Sequence, residues 1–314
     1  MQSVGIHHIT AIVGDPQENV HFYSEILGLR LVKKTVNFDD PGTYHLYFGD
    51  EAGHPGTIIT FFPWINAYKG RIGDGQVGVT AYAVPEGALS FWKNRLTQND
   101  IHFDTVVRFE EESILFNDPH GLILEIVERK EGKKSEWEMD DISTDVAIKG
   151  FAGATLFSGA PNKTMNLLEE HMGLEKVGEE GEYIRYRSIA DIGNVIDIKL
   201  TTTGRGSMGV GTVHHIAWRT KDDNEQLEWQ KYLPTAGYQV TPVQDRNYFN
   251  AVYFREFGGI LFEIATDPPG FAIDEPREQL GEHLMLPARY EGYRQQLEAT
   301  LPPIHIEKNR RNEK

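Results

Sequence analysis

Two His-His pairs stand 207 residues apart in this 314-residue chain, His7-His8 in GIHHITAIVGD and His214-His215 in TVHHIAWRTKD. Glu263 follows the second pair, alone among apolar neighbours in GGILFEIATD (258–267). Two imidazoles and one carboxylate on separate strands can hold a divalent metal on one face and leave the opposite face open. That chemistry points to a metalloenzyme acting on a small molecule. Strict strand alternation puts His7 and His8 on opposite faces, so only one of each pair can point straight at a given ion. The residues alone leave that choice open. The same alternation places Thr10 on the face of His8. The chain has no cysteine. Disulfides and thiolate ligands are therefore excluded, and any metal must sit on nitrogen and oxygen.

These residues need strands to carry them, and an internal repeat supplies the strands. Four segments share one plan: a short β opening, a helix, then further β runs. Unit one runs from Ile6 through ENVHFYSEILGL (18–29) to TIITFF (57–62), and unit two from VGVTAYAVPEG (77–87) to HGLILEIVE (120–128). Unit three runs from FAGATLFSGAP (151–161) to NVIDIKL (194–200), and unit four from the second His-His pair to GILFEIA (259–265). Val20, Tyr23, Ile26 and Leu27 form a helical apolar stripe, and Gly28, Gly173 and Gly237 stand where helix C-caps belong. Superimposing the units by eye aligns His8, Val77, Gly153 and His215 on the opening strands. It aligns Thr60, Glu125, Asp197 and Glu263 on the closing strands. Only units one and four keep histidine, so a metal-bearing barrel is expected from them, and a structural one from units two and three. The domain plan is 1–128 for modules one and two, a charged linker over 129–146, modules three and four over 147–268, and a C-terminal extension over 269–314. One helix is expected in that extension at 287–301, closed by the LPP at 301–303.

At this point the chain resembles a known family. It looks like the vicinal oxygen chelate superfamily, an α+β class in which four βαβββ modules form two mixed-sheet, barrel-like domains. Within it the chain is similar to the ring-cleaving dioxygenases that act on para-hydroquinones. IHHIT, YHLYF, RNYFNAVYFREFGGILFE and VHHIA carry the resemblance, which covers nearly the whole chain. It implies that His8, His215 and Glu263 hold Fe(II), with Mn, Zn or Ni accepting the same donors. It also implies catalytic roles around the metal for His7, Thr10, His214, Arg246 and Tyr253. The implied reaction is extradiol-type opening of a hydroquinone or related dihydroxy aromatic ring with O2. A glyoxalase-type lyase or isomerase is the alternative, and Thr60 counts against it because that chemistry uses a second carboxylate there. A metal-free aromatic- or antibiotic-binding protein would not need the three ligating residues together. The other eight histidines, His45 and His120 among them, read as structural or solvated.

Composition bounds the partners. The net charge of −16 repels nucleic acid and anionic membrane, so neither is expected. The start MQSVGIHHIT shows no signal-peptide pattern, and no apolar run nears the roughly 20 residues of a membrane span. A cytoplasmic protein that binds a small aromatic substrate and O2 is expected, and exposed sheet edges are compatible with a homo-oligomer. The tail EKNRRNEK reads as a solvated terminus.

Overall fold

The computed structural model describes residues 1–306, and the tail at 307–314 lies outside them. Each of four modules has a strand, a helix and three more strands. Module one contains β1 (Ile6–Val13), α1 (Pro16–Val20), β2 (Arg30–Val36), β3 (Tyr44–Gly49) and β4 (Ile58–Pro63). Module two contains β5 (Gln76–Val84), α2 (Leu89–Gln98), β6 (Phe103–Arg108), β7 (Glu111–Asn117) and β8 (Ile123–Glu128). Module three contains β9 (Gly150–Phe157), α3 (Pro161–Asn166), β10 (Glu175–Glu180), β11 (Tyr183–Arg187) and β12 (Val195–Lys199). Module four contains β13 (Thr212–Thr220), α4 (Asp223–Tyr232), β14 (Gln244–Asp245), β15 (Phe249–Arg255) and β16 (Leu261–Pro269).

The strands form two curled, mixed, eight-stranded sheets. One has the order β14-β15-β16-β13-β1-β4-β3-β2, joining the first and last modules. The other has the order β10-β11-β12-β9-β5-β8-β7-β6, joining the middle two. This is an α+β fold of the vicinal oxygen chelate type. In each sheet the two opening strands run antiparallel at the centre and each closing strand pairs parallel beside its own opening strand. Chain ends far apart in sequence are thereby brought to one seam.

Local chemistry explains the helices. Asp15 accepts a hydrogen bond from the Glu18 amide and Pro16 starts α1, both preferred at a helix N-terminus. After Val20 the turn widens, with Leu27 N–H donating to Phe22 C=O, and Gly28 stops it at φ +70°. Module three repeats this widening before Gly173 at φ +69°. Val20, Tyr23, Ile26 and Leu27 are all buried.

The segment after module two is not a free linker. Met139 and Ile142 are buried, Trp92 Nε1 donates to Val146 C=O, and Arg95 pairs with Asp141. The C-terminal extension also packs on the body. Its helix α5 (Arg294–Thr300) is shorter than the 287–301 read from sequence, because Pro287–Tyr290 is a turn and a 3-10 turn precedes it. Arg289 and the Tyr290 hydroxyl donate to Phe38 C=O, which ties the extension to the segment after β2. Among the described residues no helix is long and apolar enough to cross a membrane.

Candidate metal centre

His8 on β1, His215 on β13 and Glu263 on β16 meet at one buried point at the seam of the first sheet. His215 Nε2 lies 2.8 Å and His8 Nε2 3.4 Å from Glu263 Oε2, and the two Nε2 atoms are 3.2 Å apart. Donors at right angles around an ion at roughly 2.1 Å are about 3 Å apart, so this triangle suits one face of a coordination shell. Glu263 is fully buried and, among the described residues, neither of its oxygens has a donor in hydrogen-bond geometry. A buried, unpaired carboxylate is costly unless a cation compensates it. The donor set and this orphaned carboxylate together fit a divalent ion. Burial alone would raise the Glu263 pKa, but His8 and His215 hold it well below the usual carboxylate range.

Two β-bulges bring each histidine pair to the same side. On β1, Ile6 faces Trp218 and His8 faces Ala217, so His7 is an extra residue. On β13, His215 faces Thr10 and Val213 faces Ala11, so His214 is the extra residue. A bulge breaks strict alternation and re-aims side chains. His7 Nδ1 consequently sits 2.9 Å from His8 Nδ1, and His214 Nδ1 sits 2.7 Å from His215 Nδ1. Expectation and structure differ here: the two histidines of a pair are not on opposite faces.

The same bulges occur in the second sheet, at Gly78 and Ala152. The positions matching His215 and His8 are therefore Val79 and Gly153, which corrects the by-eye alignment on Val77 by two residues. A Cβ at Gly153 would lie 1.8 Å from Val195 O, so no side chain fits there. Glu125 pairs instead with Arg108 at 2.6 Å and Asp197 with Arg185 at 2.8 Å, around a void of only about 20 Å³. A second grouping, Asp50, Glu51 and His54, is also an ion-pair cluster. Arg277 and Lys133 stand 3.6 and 3.7 Å from Glu51 Oε1 and meet its charge without an ion.

A cavity of about 380 Å³ opens over His8 and His215. His214, Arg246 and Tyr253 border it, as do Phe62, Trp64 and Phe249. Burial first and His215 next pull the His214 pKa down to about 3, so this ring is neutral. Arg246 donates from Nε to the Tyr253 hydroxyl at 3.2 Å and from its terminal nitrogens to Asp39 and Gln244. Burial alone would lower its pKa, but Tyr253 and Asp39 raise it, so it keeps its charge. Burial and Glu263 raise Tyr253 well above the ordinary phenol value, so it keeps its proton.

His7 and Thr10 do not border this cavity. His7 lies behind His8 and borders a separate void of about 290 Å³. Thr10 is fully buried and bonds Thr60, because β4 covers its hydroxyl at that register. Sequence reasoning passed over His45. It borders the cavity with Tyr47, and its Nε2 is 2.7 Å from Thr60 Oγ1. Alternation along β3 holds the signal: Leu46 and Phe48 belong to the main core, which leaves His45 and Tyr47 on the other face.

Comparison with known proteins agrees with this architecture. A family model described as the Glyoxalase/Bleomycin resistance protein/Dioxygenase superfamily matches residues 5–126 and 150–274. MhqO of Bacillus subtilis (strain 168), named for ring-cleaving dioxygenase activity, is 64% identical over 305 residues, covering 97% of this chain and 98% of its own. The chlorohydroquinone/hydroquinone 1,2-dioxygenase of Sphingobium indicum is 33% identical over 313 residues, covering 96% of this chain and 97% of its own. A crystal structure titled as a dioxygenase from Bacillus subtilis superposes with a TM-score of 0.97 at 64% identity, covering 98% of this chain and 99% of its own. From its four modules, its paired sheets and these matches, the chain belongs to the glyoxalase/bleomycin resistance protein/dioxygenase superfamily.

Proposed function

We propose that this chain is a ring-cleaving dioxygenase that opens a hydroquinone-type ring with O2, using Fe(II) held by His8, His215 and Glu263. One observation carries the reading. Three ligating atoms converge at a buried point beside a cavity of about 380 Å³ walled in part by Phe38, Phe62, Trp64 and Phe249 and bordered by His214, Arg246 and Tyr253. A divalent iron there supplies a site where ring oxygen and dioxygen meet and electrons pass between them.

The protein's own groups would do the rest. With Nε2 of His215 committed to an ion, its proton sits on Nδ1 and is donated to His214 Nδ1. Neutral His214 then carries its proton on Nε2, the nitrogen left for proton transfer with bound substrate. Tyr253 accepts from Arg246, so its own hydroxyl proton is free for a ligand oxygen. The Arg246 charge beside it stabilises negative charge developing on oxygen. Phe62 and Trp64 stack at an interplanar angle of 19°, giving the ring an apolar shelf that excludes water. Glyoxalase-type chemistry would need a further carboxylate at the closing position of module one. Thr60 stands there, fully buried and bonded to Thr10 and His45.

The test is oxygen uptake by anaerobically prepared, Fe(II)-loaded protein. Hydroquinone and chlorohydroquinone should consume equimolar O2 and yield a ring-opened chromophore. No uptake across hydroquinones and catechols, with metal shown to be bound, would sink the dioxygenase reading. His214→Gln should lower kcat by roughly 10²–10⁴-fold. Its metal affinity should fall by no more than about 100-fold. A variant that loses affinity and turnover in proportion would deny His214 a role in proton transfer.

A further inference from the structure

The cavity over the ligating point has an acidic mouth and a single cation. Among the described residues that border it, Arg246 is the only arginine or lysine, and Asp39 and Asp40 are the carboxylates. Asp39 Oδ2 lies 3.0 Å from Arg246 Nη1. Asp40 accepts from the Thr43 hydroxyl at 3.1 Å. One arginine against two aspartates leaves the wall one negative charge in excess. Burial holds His45, His214 and His215 below their ordinary pKa, so these rings add no positive charge.

Asp39 follows β2 and Arg246 follows β14, the two edge strands of the first sheet. The ion pair therefore joins the sheet's free edges across the open side of its curl. The chain presents Asp39 there, because its own N–H donates to Asn37 Oδ1 at 2.9 Å and the C-terminal extension holds Phe38 C=O. The Asp39 side chain is 71% exposed, so the pair adds little to folding stability. What it does is occupy the guanidinium. Each nitrogen of Arg246 already meets an acceptor: Nε the Tyr253 hydroxyl, one terminal nitrogen Asp39, the other Gln244. A substituent with a full negative charge needs a free guanidinium fork, two parallel N–H donors without a counter-charge. The ligating point does not supply the missing charge. A divalent ion with Glu263 keeps one positive charge, and one ionised ring hydroxyl cancels it.

We propose that Asp39 is a specificity-determining residue: it occupies Arg246 and so turns away rings that carry an anionic substituent, leaving the cavity to uncharged dihydroxy rings. The class of ring rests on the dioxygenase reading. The rejection of the charged substituent does not.

Calorimetry on the Zn(II)-loaded full chain under argon, where no turnover occurs, tests this. Two probes share one shape: 2,5-dihydroxybenzenesulfonate, and 2,5-dihydroxyphenyl methyl sulfone, in which a methyl group replaces the anionic oxygen. A sulfonate is charged at every working pH and coordinates metals weakly. Wild type should bind the neutral sulfone at least about tenfold more tightly, because like charges at a binding surface suppress the wrong partner. Asp39→Asn keeps an acceptor for Arg246 without the charge, and Asp39→Ala removes both. The sulfone-to-sulfonate affinity ratio should fall about tenfold in Asp39→Ala and part of the way in Asp39→Asn. Asp40→Asn removes the same charge from the same loop without touching Arg246, and should lower the ratio less than Asp39→Asn does. Wild type that binds the two probes alike overturns the proposal. So does a ratio that stays at the wild-type value in both Asp39 variants. An Asp40→Asn effect as large as that of Asp39→Asn also overturns it, by tracing the selectivity to the general field of the mouth. Wild type that binds hydroquinone but neither probe overturns it too, since shape alone then excludes the substituent. Failure of the dioxygenase reading appears separately, as absent O2 uptake with hydroquinone by Fe(II)-loaded wild type.

Discussion

Glu263→Gln should abolish metal binding while leaving the metal-free protein folded. The substitution keeps side-chain volume, so β16 and its neighbours need not repack. It removes the only charged member of the three ligating residues, a carboxylate with no exposed surface and, among the described residues, no donor in hydrogen-bond geometry. In the metal-free chain that carboxylate is a buried charge beside two imidazoles, so losing it relieves desolvation as well as removing attraction to His8 and His215. In the presence of metal the balance reverses. A ligand at a hundredfold excess over its Kd stabilises the fold by about 2.7 kcal/mol, and the variant should gain none of this. Thermal melts with and without Fe(II) or Zn(II) read the effect directly. Ring-cleaving activity should fall on the order of 10³-fold, about 4 kcal/mol in transition-state terms. A variant that still shows the full metal-dependent rise in Tm would remove Glu263 from the centre.

Particular residues show what the sequence made legible. Glu263 drew attention because a lone carboxylate in an apolar strand is expensive, and the paired histidines because two matched copies on separate strands are hard to explain by packing. The fold class was legible from the repeat, since each module cannot bury its sheet face alone and must join another. What escaped was the local departure from regular geometry. Alternation argued that His7 and His8 diverge, and the bulges at His7 and His214 undo that argument. A bulge leaves no residue-type signature here, for its counterparts in the second sheet are Ala152 and Gly78. The two-residue error at Val77 has the same origin. Thr10 was expected at the cavity wall because period 2 gives a face but not what covers it, and the neighbouring strand β4 seals it. His45 escaped for a different reason: a lone strand histidine is usually structural, and its partner Thr60 emerges only once β3 and β4 are paired.

Lys33→Ala should be the most destabilising single change away from the metal centre, at about 3–5 kcal/mol. Lys33 is fully buried on β2, with Nζ 2.8 Å from Asp274 Oδ1 and 2.9 Å from Glu275 Oε2. Truncation leaves the Glu275 carboxylate buried without its cation. The loss should also reach the cavity, because Asp274 accepts from the Tyr248 hydroxyl and from Asn247 Nδ2, the residues that follow Arg246. Urea midpoints measure the stability, and the double variant Lys33→Met/Glu275→Gln should recover most of it by removing both charges together. The pH dependence has a definite sign. Burial would raise the Glu275 pKa, but Lys33 and the Gly281 and His283 amides lower it below the ordinary glutamate value. A depressed carboxyl contributes its stability above the unfolded pKa, about 4.3, and loses it as pH falls through the lower folded value. Wild type should therefore lose stability on acidification below about pH 5, and Lys33→Ala should show a flatter acid limb because its Glu275 is no longer held down. Equal acid limbs in the two proteins would place the acid-sensitive stability elsewhere, and a drop under about 1 kcal/mol would mean that water reaches the pair.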